Sequence, residues 1–192
     1  MLSSGSQKII AIGASTGGVD AVENVLSSFP ARTPPIVLAI HMQAGITKLF
    51  ADQLDDTLPL SVKEAETGDI LVPNQVLIAP AGKHMKIVNN AGKLTVECFL
   101  GPKVQFVIPS VDVLFESIAK EAKGRAVGVL LTGIGADGAR GLMAMRNSGA
   151  ETIGQDEKTS IVYGMPKVAM EMGAVMHQLP LGQIAGKILS LV

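Results

Sequence analysis

A mostly parallel, doubly wound α/β sheet, covered by helices on both faces, is the fold this chain predicts, and three features point to it. Apolar, β-branched runs at 9–12, 36–40 and 126–131 carry no polar alternation, as strands buried on both faces require. Helix-compatible amphipathic stretches separate these runs and give a β–α rhythm. The 192 residues, 47% of them hydrophobic, also suffice for one substantial core without staples.

The elements follow in order. Residues 9–12 read as a strand and 19–27 as a helix, with Ala21, Val22, Val25 and Leu26 near one face. Pro34-Pro35 punctuates the chain before a second strand at 36–40 and a second helix at 47–54. Short strands are expected at 62–65 and 76–79, the latter ending in a Pro-Ala-Gly turn. Residues 86–88 and 94–97 flank Asn89-Asn90-Ala91-Gly92, a β-hairpin signal near the middle of the chain. Residues 110–122 form a helix with Ser110 as N-cap and Val113, Leu114, Ser117 and Ile118 on one side. A strand at 126–131, a helix at 138–148, a strand at 151–154, a helix at 166–172, a strand at 175–178 and a helix at 181–191 complete the pattern. Residues 1–7 are small and polar and read as a linker remnant or appended tail, leaving 8–192 as the domain.

Composition narrows the function classes. A formal net charge of −1 argues against nucleic acid or an anionic membrane surface as partner. No apolar run approaches the ~20 residues of a spanning helix, and no secretory signal is legible, so a cytoplasmic protein without membrane insertion is expected. The lone Cys98 fits a reducing compartment and reads as a strand residue without chemistry. No cluster of Cys, His or carboxylates has ligand spacing, so neither metal nor organic cofactor is expected.

In open parallel sheets, ligands bind beyond the carboxyl ends of the strands. Three polar groups follow apolar strands here. Ser15 lies in Gly13-Ala14-Ser15-Thr16-Gly17, between a strand and a helix. His41 follows the second strand, and Asp137 closes the glycine-rich run 132–138. A serine, a histidine and an aspartate at one sheet edge make an acyl-transfer triad. Ser15 would be the nucleophile, His41 the base and then the acid, and Asp137 the ionised partner of the imidazole. The backbone N–H groups of Thr16 and Ile134 are the candidate oxyanion donors. The order Ser, His, Asp differs from that of α/β-hydrolases and of the chymotrypsin-like and subtilisin-like proteases.

These residues and their neighbours resemble the catalytic domain of the CheB family of chemotaxis protein-glutamate methylesterases. The resemblance runs from about Lys8 to the carboxyl terminus. It is carried in order by Ile-Gly-Ala-Ser-Thr-Gly-Gly at 12–18, His41-Met42, Ala79-Pro80 with His84, and Pro-Ser-Val-Asp-Val-Leu-Phe at 109–115. Leu-Thr-Gly-Ile-Gly-Ala-Asp-Gly at 131–138, Gln155-Asp156-Glu157 and Tyr163-Gly164-Met165-Pro166 follow. The family's triad falls on Ser15, His41 and Asp137, the residues already chosen from the strand ends. The resemblance implies hydrolysis of glutamyl methyl esters on the cytoplasmic helices of chemoreceptors, with deamidation of selected glutamines. It also implies an amino-terminal receiver domain, which this chain does not contain. Two departures stand out: Ile134 where the family usually has methionine, and the apolar Phe106, Val107 and Ile108 where it is often basic.

Plainer readings stand beside these. Ser15 could be a loop serine at a helix start. Gly17, His84 and Met165 are candidate site-lining residues, with a structural role for His84 and a turn-to-helix junction at Met165-Pro166 as the alternatives. His177 reads as structural, Asp112 as a capping carboxylate, Asp156 as a candidate brace, and Met143 and Met145 as packing. The competing functions are a nucleotide-binding module using the glycine-rich loop at 13–18, and an inactive receptor-docking module. Against the first, Ser15 stands at the second glycine of Gly-x-Gly-x-x-Gly, and His41 replaces the acidic residue expected near the next strand's end.

Overall fold

A computed structural model describes residues 8–192; the expected tail at 1–7 lies outside the described residues. Seven strands form one parallel sheet: β1 (Ile9–Ala14), β2 (Ile36–Ile40), β3 (Ser61–Glu64), β4 (Gln75–Ile78), β7 (Ala126–Leu130), β8 (Glu151–Gln155) and β9 (His177–Leu179). Their spatial order is β3-β4-β2-β1-β7-β8-β9, and every pairing is parallel. The strands β5 (His84–Asn90) and β6 (Lys93–Phe99) form the expected hairpin apart from the sheet.

The all-apolar strands are buried for the reason their sequence implies. Alternate side chains of β1 point to opposite faces. Ile9 and Ala11 pack with Val37, Ala39 and Leu77 beneath the helices α3 (Val111–Glu121), α4 (Ala139–Asn147) and α5 (Met165–Glu171) and against the hairpin. Ile10, Ile12 and Ala14 pack with Ile36, Leu38 and Ile40 under α1 (Gly18–Ser27), α2 (Ile46–Thr57) and α6 (Leu181–Leu191). The hairpin joins the first layer through buried Met85, Ile87 and Val96, and Ile87 N–H donates to Ser117 Oγ at 2.9 Å. Among the described residues no helix is long and apolar enough to cross a membrane.

The hairpin strands are longer than expected, several other bounds shift by a residue or so, and two differences have a clear physical reason. The last strand begins at His177 rather than at 175, because Val175 packs over Gly154 while pairing with β8 starts at Ile153 and His177. α2 runs to Thr57 rather than 54, and Asp55 then accepts the Val62 N–H at 2.6 Å, tying the helix end to β3.

The topology positions the site. β1 is flanked by β2 and β7, so the chain leaves the sheet's centre in one direction early and in the other late. Such a switch point opens a crevice at the carboxyl ends. Phe115 is fully buried between α3 and the sheet. Phe115→Ala should cost about 3–5 kcal/mol of stability, read by urea denaturation.

Candidate active site

Ser15, His41 and Asp137 stand beyond the carboxyl ends of three adjacent strands, β1, β2 and β7. Strand pairing carries on into their loops. His41 N–H donates to Ala14 O at 3.2 Å, Leu131 N–H to Gly13 O at 2.9 Å, and Ser15 N–H to Thr132 O at 3.0 Å. The three loops are therefore held together by backbone bonds before any side chain acts.

The strongest side-chain feature is the Asp137 carboxylate. The residue is 2% exposed, and its two oxygens accept four hydrogen bonds. Oδ2 accepts from His41 Nε2 at 2.7 Å and from the Val111 N–H at 2.7 Å. Oδ1 accepts from Ser110 Oγ at 2.7 Å and from the Asp112 N–H at 3.0 Å. Burial pushes this carboxyl up, but the bonds from His41, Ser110, Asp112 and Val111 outweigh it and hold it below the usual carboxylate range. Two of those donors are the first free N–H groups of α3, so Asp137 also caps that helix from another loop.

His41 gives Nε2 to the carboxylate, which leaves Nδ1 as the basic nitrogen of the neutral ring. Ser15 Oγ makes no hydrogen bond to the imidazole in this structure, a contact that in unliganded enzymes often tightens only with substrate. The serine is half-buried, and α1 has no side-chain cap, so Ser15 is not occupied as a capping residue. Gly17 caps that helix in the left-handed region, at φ 76°, with Ile161 lying where a β-carbon would go. Gly133 is equally constrained: an added β-carbon would lie 2.3 Å from Met165 Sδ and 2.7 Å from Ser15 Cβ. Among the described residues, the N–H groups of Thr16 and Ile134 donate to no backbone carbonyl, as oxyanion donors must.

Two residues expected to line the site sit elsewhere. His84 is 1% exposed; its Nε2 donates to Pro102 O at 2.9 Å and its Nδ1 accepts the Ser110 N–H at 3.2 Å. It stands behind the acid and steadies Ser110, because both ring nitrogens are used by backbone groups. Met165 is fully buried under Gly133, and its N–H donates to Gly133 O at 2.8 Å. It supports the loop from below rather than facing a ligand. Asp112 does not cap its helix either. Its oxygens accept from Gly141 N–H, Arg140 Nε and Gln105 Nε2, joining α3 to α4. Asp156 braces a turn by accepting from the Thr159 N–H and hydroxyl. His177 pairs with Glu151 at 2.8 Å on the sheet edge, away from the triad.

Sequence reasoning missed three supports. The Ser110 hydroxyl was read as a cap alone; it accepts from the Val113 N–H at 3.4 Å while donating to Asp137. Thr132 Oγ1 donates to Thr16 O at 3.0 Å and accepts the Val162 N–H at 2.9 Å. Gln155 Oε1 accepts the Thr132 N–H at 2.8 Å. Gln155 lay within a quoted motif, but its role depends on a contact across the sheet. Because Asp137 is held low, its contribution to stability is present above the ordinary carboxylate pKa of about 3.9 and lost as pH falls through its lowered value. The parent chain should therefore lose stability more steeply below about pH 4 than Asp137→Asn does, measured by urea denaturation across pH.

Comparisons with known proteins agree with this geometry. The family model for the CheB methylesterase matches residues 10–188. A protein-glutamate methylesterase/protein-glutamine glutaminase of Syntrophotalea carbinolica is 48% identical over 191 residues, covering 100% of this chain and 54% of that protein. The Salmonella typhi protein of the same name is 44% identical over 185 residues, covering 96% and 53%. This chain thus spans about half the length of these curated relatives. The crystal structure of the Thermotoga maritima CheB methylesterase catalytic domain superposes with a TM-score of 0.95 at 37% identity, covering 97% of this chain and 100% of that one. With its fold and nearly its whole length matched, the chain belongs to the CheB methylesterase family.

Proposed function

We propose that this domain hydrolyses γ-methyl esters of protein glutamates by acyl transfer through Ser15, His41 and Asp137, and deamidates selected glutamines at the same site. The observation that carries this reading is the 2.7 Å bond from His41 to buried Asp137, next to a serine on the adjoining strand end. Ser15 Oγ attacks the ester carbonyl carbon while Nδ1 of His41 takes its proton. The carbonyl oxygen becomes an oxyanion facing the Thr16 and Ile134 N–H groups. Collapse expels methoxide, which leaves as methanol with the proton held by His41. A water then gives its proton to His41 and attacks the acyl-enzyme, releasing the glutamate carboxylate and restoring the serine. With a glutamine the same steps expel ammonia. Asp137 stays ionised and balances the transient imidazolium.

The substrates we assign are methylated cytoplasmic helices of chemoreceptors, which places the reaction in the cytoplasm. The activity for which these relatives are named supports the chemistry. A nucleotide-binding reading is not favoured, because the imidazole at the end of β2 is bonded to Asp137 rather than replaced by a ribose-binding acid. Methanol release from a methylated receptor fragment tests the proposal. Ser15→Ala should abolish release with the fold intact, and Asp137→Asn should lower kcat by about 10³–10⁴-fold. Full activity in Ser15→Ala would refute the assignment.

A further inference from the structure

The two candidate oxyanion N–H groups are held in different ways. The Thr16 N–H belongs to the Ser15–Thr16 peptide, just before α1. Ser15 O accepts the Gly18 N–H at 2.7 Å. In a trans peptide the carbonyl and the N–H point in opposite directions, so this nearby bond also sets where the Thr16 N–H points. The Ile134 N–H belongs to the Gly133–Ile134 peptide, in the run Gly133-Ile134-Gly135. Gly135 lies in the left-handed region, at φ 90°, and Gly133 has no Cβ to restrict its own rotation. Local sterics therefore leave this peptide plane free to turn. Turned over, it would present a carbonyl oxygen to the developing negative charge in place of a donor.

The segment 162–165 stops that rotation. Gly133 N–H donates to Val162 O at 3.1 Å, and Gly133 O accepts the Met165 N–H at 2.8 Å. Gly133 and Tyr163 are thereby joined in an isolated parallel bridge. One residue earlier, Thr132 Oγ1 accepts the Val162 N–H at 2.9 Å. With Gly133 O fastened to Met165, the Ile134 N–H is directed away from that segment, and among the described residues it donates to no backbone carbonyl.

Gly164 makes the close approach possible. Its φ is −110°, so a left-handed backbone is not the reason for a glycine here. The contact is. A β-carbon on Gly164 would lie 2.5 Å from Gly133 O, 3.2 Å from Gly135 N and 3.3 Å from Ile134 Cα. All three are backbone atoms of the loop that carries the Ile134 donor, so no side-chain rotation relieves the clash. Fully buried Met165 closes the contact from beneath, with Sδ 2.3 Å from where a β-carbon on Gly133 would sit.

We propose that Gly164 and Met165 are positioning residues for the reaction: together they clamp the Gly133–Ile134 peptide so that its N–H stays available to the oxyanion. Neither touches the substrate. Gly164 leaves the space that Gly133 O fills, and the Met165 N–H holds that oxygen in it. This rests on the ester-hydrolase reading of Ser15. The negative charge that the Ile134 N–H meets develops only as the ester carbonyl is attacked. Loss of the clamp therefore slows turnover and leaves substrate binding alone.

Gly164→Ala tests the clamp, read by methanol release from a methylated receptor fragment and by amide hydrogen exchange. It should lower kcat by about 10- to 100-fold, short of the ~10²–10³-fold that loss of a whole donor costs, with KM changed by less than about twofold. The pH dependence of kcat/KM should keep its shape, because the His41–Asp137 bond is not touched. A backbone ester in place of the Ile134 amide removes the donor itself, and in that chain Gly164→Ala should cost less than about twofold more. The Met165 N–H should be protected from exchange in the parent chain and lose at least about tenfold of that protection in Gly164→Ala. Where Gly164→Ala does not fold, a backbone ester at Met165 deletes the N–H, keeps the side chain and should give the same loss of kcat.

Unchanged kcat overturns the clamp. So does a loss expressed mainly in KM, or a shifted pH profile, which would assign the effect to the triad. A full further loss on top of the Ile134 ester also overturns it, since the damage then bypasses the donor. No methanol from the parent chain, with the Met165 protection lost on substitution as expected, sinks the esterase reading instead and leaves the clamp in place.

Discussion

A buried carboxylate is expensive unless its oxygens are fully hydrogen-bonded, and Asp137 meets that condition with donors from two separate parts of the chain. His41 comes from the end of β2, while Ser110, Val111 and Asp112 come from the start of α3. Desolvating an unpaired ion costs several kcal/mol, so these donors cannot drift without destabilising the fold. The same bonds satisfy helix N–H groups that would otherwise lack partners inside the protein. One negative charge thus closes a helix, keeps itself ionised and orients an imidazole. The orientation of the His41 ring follows from the need to satisfy a buried charge, and a second layer of residues supports it.

That layer works by restricting backbone. His84 spends both ring nitrogens on Pro102 and Ser110, fixing the residue whose hydroxyl reaches Asp137. Asp112 ties Gln105, Arg140 and Gly141 together, so the α3–α4 contact and the turn at 105–106 share one carboxylate. On the other side, Gln155 holds Thr132, and Thr132 holds Thr16 O beside Ser15. Gly133 lets this loop pass within contact of Ser15, with Met165 filling the space beneath. The resulting surface is polar at its centre, with exposed Ile134 and Ile161 beside it.

The sheet was legible in the sequence, and so was the edge on which Ser15, His41 and Asp137 stand, because each depends on local signals. Unbroken apolar runs identify strands buried on both faces, and polar residues directly after them must lie at the carboxyl edge. Ser15, His41 and Asp137 were selected by that logic, and the fold sets their strands side by side. The hairpin was likewise announced by Asn89 to Gly92, where Ala91 and Gly92 take the turn. Periodicity overran at the last strand, because Val175 is apolar for packing over Gly154 rather than for pairing.

What the sequence by itself determined was the order of elements, the edge on which chemistry sits and the residue types present there. Which partner each polar group takes was decided only in three dimensions. His84 and Met165 read as wall residues but are buried behind the site, and Ser110 read as a cap but also holds the acid. The physical reason is that partners such as His84 and Pro102, or Thr132 and Thr16, lie 18 to 116 residues apart along the chain. Local propensity and spacing carry no information about contacts at that separation; only closure of the sheet and docking of α3 bring them within reach.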